Sequence, residues 1–325
     1  LYLKVLEAQR RQEGENAEST GTTYHNLGTL EMTRGDFRKA TQFFDLAEER
    51  LIAALGELHP KIPSTRLNRS NAWYLLREYD RATAEIESAL ELGRRVWGEE
   101  HGVLAEIYQM RSAIRGDLGD LDGSEADLRL SLEMHRRVNG PDHPAVASAL
   151  DGLANLLETR GRREEAVVVY EQALELWERI GIERNGFAAA YVLNNLGYTL
   201  QQMDRFAEAE PYMVRAVEIR RKLMPPEHPL VVASIYNLAW IYYEWGQHDK
   251  ALPHWREAVI QREKRHGADH NRTLTARERL AESLTALGRA EEARVILEDV
   301  LARRERNGDE QGAMRTRALL VSASR

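Results

Sequence analysis

The chain has 325 residues, of which 43% are hydrophobic and 30% charged, with a formal net charge of −7 at pH 7 and no cysteine. Without cysteine it has no disulfide, thiolate metal site or cysteine nucleophile, and its acidic balance argues against nucleic-acid binding, which needs a basic face. No stretch approaches the roughly 18 uninterrupted apolar residues of a membrane helix. We therefore expect a cytoplasmic protein that binds neither nucleic acid nor membranes and uses no cofactor or metal. Because the sequence begins at Leu1 rather than Met, we interpret it as a piece of a longer protein.

Small residues recur in register along the chain, with a spacing of about 42 residues. The first column consists of Ala40, Ala82, Ser124, Ala166, Ala209, Ala251 and Ala293. Parallel columns run from Ala47 to Ala258 and from Gly28 to Ala281. A repeat of this length predicts an all-α solenoid, in which each helix pair contacts only its neighbours.

The apolar spacing predicts about seven helix–turn–helix units, flanked by partial units. The units lie at about 20–56, 62–98, 104–140, 146–181, 188–224, 230–266 and 272–306. Residues 1–19 align with the second half of a preceding unit, and residues 310–325 align with a first helix that caps the array. We expect a single solenoid domain over residues 1–325.

The unit after residue 187 illustrates the pattern. Its apolar spacing predicts a first helix over Ala188–Gln202 and a second over Phe206–Leu223. The small residues Gly197 and Ala209 fall where the two helices cross, since a larger side chain would hold the helix axes apart.

Most loops between units carry one histidine, namely His59, His101, His143, His228 and His270. We expect each ring to bond nearby backbone rather than a metal, because neighbouring repeats hold the rings too far apart to share an ion.

Two features depart from the repeat. Arg66, Arg69, Arg111 and Arg115 occupy positions where other copies carry Leu, Tyr or Trp. These units therefore either pack loosely or pair the arginines with nearby acids. The fourth loop, at 181–186, gains one residue and loses its His-Pro, so we interpret it as a hinge or as a change of superhelical pitch.

Three segments carry a resemblance to a known family: Gly140-Pro141-Asp142-His143-Pro144-Ala145-Val146-Ala147, Leu193-Asn194-Asn195-Leu196-Gly197 and Ala207-Glu208-Ala209-Glu210-Pro211. The chain resembles the tetratricopeptide repeat, in the 42-residue form of kinesin light chains. HEAT-like or armadillo-like helix pairs also fit the period, but the fixed small-residue columns favour the tetratricopeptide repeat. The resemblance implies a right-handed superhelical solenoid.

The same resemblance implies that the first helix of each unit lines a concave groove. Transferring the groove positions copy by copy gives a candidate peptide-binding set: Asn26, Asn68, Asn71, Tyr191, Asn194, Asn195, Tyr198, Tyr236, Asn237, Trp240 and Tyr243. Asparagine can bond both the N–H and the C=O of an extended peptide, and Tyr and Trp are typical of binding hot spots. Alternatively, the aromatic residues pack between adjacent first helices and the asparagines bond helix ends.

The groove positions include Glu106, Asp117, Asp151, Glu158 and Glu244 and are nearly devoid of Lys and Arg. This charge pattern favours a neutral or basic peptide segment.

We expect a protein-interaction module, the regulatory or sensor region of a larger signalling protein. The alternative is a structural spacer or self-assembly unit that stacks end to end through incompletely covered terminal helices. The sequence has no Gly-rich phosphate loop, His-Glu-x-x-His pair or Gly-x-Ser-x-Gly elbow, so we do not expect an enzyme.

Overall fold

The computed structural model describes residues 17–323, apart from the side chains of residues 183–185. Over these residues the secondary structure consists of fifteen helices without a strand, and the predicted all-α class is confirmed. None of the described helices is long and apolar enough to span a membrane. The predicted half unit at 1–19 lies almost wholly outside the described residues.

The chain divides into two compact units, one ending at Gly161 and the other beginning at Arg162. The helices of the first unit are α1 (Glu18–Arg34), α2 (Phe37–Leu55), α3 (Lys61–Leu75), α4 (Tyr79–Trp97), α5 (Gly102–Asp117), α6 (Leu121–Asn139) and α7 (Pro144–Thr159). Those of the second unit are α8 (Arg163–Ile180), α9 (Ile182–Gln201), α10 (Phe206–Leu223), α11 (Pro229–Glu244), α12 (His248–His266), α13 (Asn271–Ala286), α14 (Ala290–Arg306) and α15 (Glu310–Ala323). The single continuous domain stays a prediction.

Within each unit, every helix packs against the next one along the chain. The odd-numbered helices, which we call first helices, also contact one another: α1 with α3, α3 with α5, α5 with α7, α9 with α11, and α13 with α15. The even-numbered second helices pack behind them. First helices therefore form one layer of each unit and present one face side by side.

The two helices of a pair cross at small residues, as predicted. Ala40 and Ala209 are fully buried. A Cβ atom added to Gly28 would lie 2.5 Å from the Phe44 ring, and one on Gly197 would lie 2.7 Å from Met213 Cγ. Since no real Cβ fits at such distances, the spacing of the helix axes depends on these residues.

The turn inside a pair requires a left-handed backbone. Gly35 adopts φ 80° at the end of α1, and glycine supplies this conformation without steric cost. At the same slot Arg77 and Asp204 adopt φ 61° and 57°. Each of these side chains costs roughly 1 kcal/mol in that conformation, so the turn geometry is retained even where the sequence opposes it.

The loop histidines begin the first helices that follow them. Each Nδ1 accepts a hydrogen bond from the backbone N–H two residues later, over 3.3 Å at His59, 3.2 Å at His101, 3.1 Å at His143, 3.3 Å at His228 and 3.1 Å at His270. These bonds satisfy N–H groups that a helix start leaves without intrahelical partners. The predicted backbone role of the loop histidines is confirmed.

The predicted loop at 181–186 is wrong. Helix α9 begins at Ile182, directly after Gly181, which adopts φ 97°. Gly186, which the sequence analysis places in a loop, packs closely against the next helix: a Cβ atom there would lie 3.1 Å from Leu223 Cδ1. The segment contains no proline, so nothing in it stops a helix. The predicted second helix of this pair, Phe206–Leu223, is confirmed.

The arginines at hydrophobic slots of the first unit pair with acids. Arg66 and Arg69 both contact Glu48, at 2.6 Å and 2.5 Å. Arg111 and buried Asp127 form a two-bond pair at 2.9 Å and 2.7 Å. These arginines therefore pair with nearby acids, and the alternative prediction of loose packing is wrong at these positions.

Replacing Ala209 with Leu should overpack the α9–α10 crossing and lower the free energy of unfolding by about 1–3 kcal/mol. The matched control is Ala207→Leu on the exposed face of the same helix, which should change it by no more than about 0.5 kcal/mol. Urea unfolding followed by circular dichroism measures both. Equal effects of the two substitutions would contradict the account of the crossing.

Candidate functional site

Eight of the eleven predicted site residues lie in the second unit, on the neighbouring first helices α9 and α11. Tyr191, Asn194, Asn195 and Tyr198 belong to α9, and Tyr236, Asn237, Trp240 and Tyr243 belong to α11. Because α9 contacts α11, the structure brings these two sets onto adjoining faces.

The aromatic residues of α9 are exposed. Tyr191 is 36% exposed and Tyr198 45%. Phe187, one turn before Tyr191, is also exposed and packs edge-on against it, with ring centroids 5.2 Å apart. We missed Phe187 because the predicted helix began one residue after it.

The asparagines link the two first helices. Asn237 Nδ2 donates to Asn194 Oδ1 over 3.1 Å. A carboxamide offers two donor hydrogens and two acceptor lone pairs, so this bond uses only part of the capacity of each side chain. We call Tyr191, Asn194, Asn195, Tyr198, Tyr236 and Asn237 the Tyr–Asn surface.

The aromatic residues of α11 form a row along one side of the helix. Tyr236 and Trp240 are stacked with centroids 6.5 Å apart, and Trp240 and Tyr243 with centroids 5.5 Å apart. Behind the row, fully buried Trp255 of α12 meets Tyr236 edge-on at 4.9 Å. Part of this aromatic area is therefore core packing, as the alternative interpretation expected.

Two arginines cover the row, which corrects the prediction of a face nearly free of cations. The Arg262 guanidinium of α12 lies 3.9 Å from the Tyr236 ring centroid, and that of Arg279 of α13 lies 4.5 Å from the Trp240 centroid. Desolvation lowers the pKa of Arg262. The sequence places Arg262 on a second helix, so its position over a first-helix ring was not predictable from the repeat.

Asn26, Asn68 and Asn71 belong to the first unit. Asn26 is exposed on α1, whereas Asn68 and Asn71 are half-buried on α3. Asn68 Nδ2 and His25 Nε2 are 3.2 Å apart, so this asparagine also links two neighbouring first helices.

Glu278 of α13 is buried. It forms a double ion pair with buried Arg304, at 3.0 Å through each carboxylate oxygen, and accepts from Thr316 Oγ1 at 2.6 Å. Arg315 of α15 pairs with it too. The carboxylate therefore fastens α15 to the last helix pair and has no exposed role.

Carboxylates on the first helices of the first unit are less well compensated. Desolvation raises the pKa of Glu106 above its ordinary value and that of Asp151 to about 6. The Oδ1 atom of Asp151 is buried without a hydrogen-bond partner among the described residues. Among the described residues no lysine or arginine forms an ion pair with either carboxylate, whereas Arg111 pairs with Asp127.

A comparison with known families finds one match. The family described as Tetratricopeptide repeat matches residues 110–179, 188–259 and 246–306, together more than half of the chain.

Two curated relatives match shorter segments. Nephrocystin-3 of Mus musculus is 32% identical over 89 residues, which are 27% of this chain and 7% of that protein. The mitochondrial Tetratricopeptide repeat protein 19 of Homo sapiens is 31% identical over 112 residues, 34% of this chain and 28% of that protein. The matched segments thus span less than a third of either relative.

Solved structures share the fold at low sequence identity. A putative kinesin light chain of Podosopora anserina with nearly identical TPR-like repeats has a TM-score of 0.57 at 22% identity, covering 64% of this chain and 99% of that one. A Signal Transduction ATPase with Numerous Domains from Pyrococcus horikoshii, which has a tetratricopeptide repeat sensor, has a TM-score of 0.67 at 16% identity, covering 94% of this chain and 49% of that one.

Asp151→Asn should stabilise the protein at neutral pH. An unfolded aspartate has a pKa of about 3.9, whereas burial raises that of Asp151 to about 6 in the folded chain. The folded state therefore binds more protons between these values, and ionisation of Asp151 lowers the free energy of unfolding as pH rises from 4 to 7. We expect a gain of about 1–3 kcal/mol at pH 7 that vanishes near pH 4.

Urea unfolding of the wild type and the variant at both pH values tests this prediction. Glu57→Gln, in an exposed loop of the same unit, is the control for loss of one negative charge. A gain that is equal at pH 4 and pH 7 would argue against titration of Asp151 as the cause.

Proposed function

Because the chain belongs to the tetratricopeptide repeat family, we propose that it is a protein-interaction scaffold that binds an extended peptide or a partner domain on the exposed face of its first helices. Under this proposal it has no catalytic role.

The observation that carries the proposal is the Tyr–Asn surface. Tyr191 and Tyr198 are exposed on α9, where a purely structural helix would be expected to present polar side chains. Beside them, the Asn194–Asn237 bond holds two carboxamides in place with bonding capacity to spare. A peptide site needs aromatic rings that the ligand can cover, which excludes water from them, and fixed amides that can bond the peptide backbone. The Tyr–Asn surface offers both.

The surroundings of the surface favour a neutral segment there. Arg262 and Arg279 already cover the aromatic row of α11, so lysine or arginine of a ligand would meet like charge beside it. A basic ligand fits better on the first unit, where Glu106 and Asp151 form no ion pair with a described lysine or arginine.

We propose further that the chain is the regulatory or sensor region of a larger, cytoplasmic signalling protein. The Pyrococcus ATPase uses a tetratricopeptide repeat array as its sensor, and the present chain covers about half of that protein's length.

The second candidate function is a spacer or self-assembly unit. It is favoured by Met314 and Val321 of α15, which are 68% and 57% exposed. Apolar side chains at an uncovered helix face are a means by which arrays stack end to end.

Selection from a displayed peptide library against the folded chain tests the leading proposal. We expect neutral peptides to be enriched by the wild type and lost with Asn195→Ala/Asn237→Ala, because two amides of the Tyr–Asn surface are removed. Gln42→Ala/Gln172→Ala, which removes exposed amides from second helices, is the matched control and should retain the enrichment.

Enrichment of neutral peptides that survives the Asn195→Ala/Asn237→Ala double variant would move their site away from the Tyr–Asn surface. No enrichment from a chain that circular dichroism shows to be folded would favour the spacer.

A further inference from the structure

A cleft of about 440 Å³ opens between the first helices α5 and α7 of the first unit. Leu128 and Leu156 contribute apolar walls, and Gln109, Asp117 and Thr159 contribute polar groups. This volume is within the range of roughly 300–1,000 Å³ that is usual for ligand sites.

The cleft exists because its helices carry small side chains at this level. Ala113 and Gly116 line it from α5, and Ser148 and Gly152 from α7. Where α5 has Ala113, the corresponding positions of the second unit carry Tyr198, Trp240 and Glu282. The two units therefore share one backbone arrangement but differ in the depth of their first-helix face.

Three acidic residues lie on the two first helices that border the cleft. On α5, Glu106 continues the row formed by Gln109, Ala113 and Gly116, since these residues are spaced three or four apart on one helix face. On α7, Asp151 lies between the lining residues Ser148 and Gly152. Asp117 lines the cleft itself.

These carboxylates have little cationic compensation. Glu106 and Asp151 have no ion pair among the described residues, and the nearest cationic group to Asp117 is the exposed Arg77, at 3.8 Å. The lining residues include no lysine or arginine. Elsewhere in the same unit acids are matched, for example Asp127 with Arg111.

From this combination we propose that the α5–α7 cleft docks a segment of a partner protein in which lysine or arginine alternates with small or apolar residues. The apolar side chains fill the space above Ala113 and Gly116, and the cations lie against Glu106, Asp117 and Asp151. This proposal rests on the proposed function, since it uses a first-helix face, but its residues are separate from those of the Tyr–Asn surface.

Three fluorescein-labelled peptides serve as probes. They share the same alanine and leucine positions and carry Lys, Gln or Glu at the remaining positions. Fluorescence anisotropy should give binding of the Lys peptide at least about tenfold tighter than that of the Gln peptide, because hydrogen bonds to charged groups contribute about 1.5–3 kcal/mol. The Glu peptide should not bind. Failure of the Lys peptide to bind, or equal binding of the Lys and Gln peptides, would overturn the proposal.

Variants locate the binding. Ala113→Trp fills the cleft at an exposed position where another copy carries Trp240, so the fold is retained while Lys-peptide binding should be lost. Asp117→Asn/Asp151→Asn should weaken binding by about tenfold or more. The charge-matched control is Glu291→Gln/Glu298→Gln on the exposed face of α14, which should have little effect.

Each of these results either supports the α5–α7 cleft as the binding site or excludes it. If the control weakens binding as much as the Asp117/Asp151 variant, the attraction is to net charge and the cleft is not the site. If Ala113→Trp folds and binds the Lys peptide with unchanged affinity, the cleft is also excluded as the site. If Ala113→Trp does not fold, the affinity of the Asp117→Asn/Asp151→Asn variant shows whether the cleft is the site. Asn195→Ala/Asn237→Ala should leave Lys-peptide affinity unchanged, and a loss there would place the peptide on the Tyr–Asn surface instead.

Discussion

The close approach of the two helices in each pair is the constraint on which the rest of the structure depends. Where Gly197 faces Met213, or Gly28 faces Phe44, there is no room for one additional carbon atom. Since small residues recur with the same spacing in sequence, the helix pairs within each unit direct the same positions of their first helices outward. The binding faces therefore follow from the packing of residues that no ligand touches.

Because the frame is fixed in this way, side chains on the first-helix face can vary without cost to the core. The second unit uses this freedom for exposed tyrosines, linked asparagines and an aromatic row covered by arginines. The first unit uses it for small residues that line a cleft and for carboxylates with little cationic compensation on the same helices. A scaffold built on one repeat can thus present two surfaces of different chemistry, and the two proposed sites differ in shape as well as in charge.

Much of the fold was predictable because its determinants are local in sequence. The small-residue columns, the turn position and the histidine before five of the first helices depend on spacing within one repeat. The bounds of α10 were correct for this reason, whereas α9 was predicted to begin at Ala188 and begins at Ile182. Gly186 has the composition of a loop, and its role as a packing contact with Leu223 depends on the folded pair.

The candidate site was less predictable, because its contacts join different repeats. Asn237 bonds Asn194 rather than Asn195, which occupies the equivalent slot, so the pairing is displaced by one residue. Arg262 reaches Tyr236 from the helix behind it, and Glu278 turns inward because Arg304 and α15 surround it. Such contacts depend on side-chain length and on the position of the next helix, which a repeat pattern does not specify.

Hydrogen exchange of the chain with and without a peptide enriched on it tests the central claim most directly. If first-helix faces form the binding surface, the peptide should slow exchange in α9 and α11 and leave the second helices α10 and α12 unchanged, since bound backbone suppresses local opening of the helices it contacts. Protection confined to α10, α12 or the loops that connect the pairs would contradict the account.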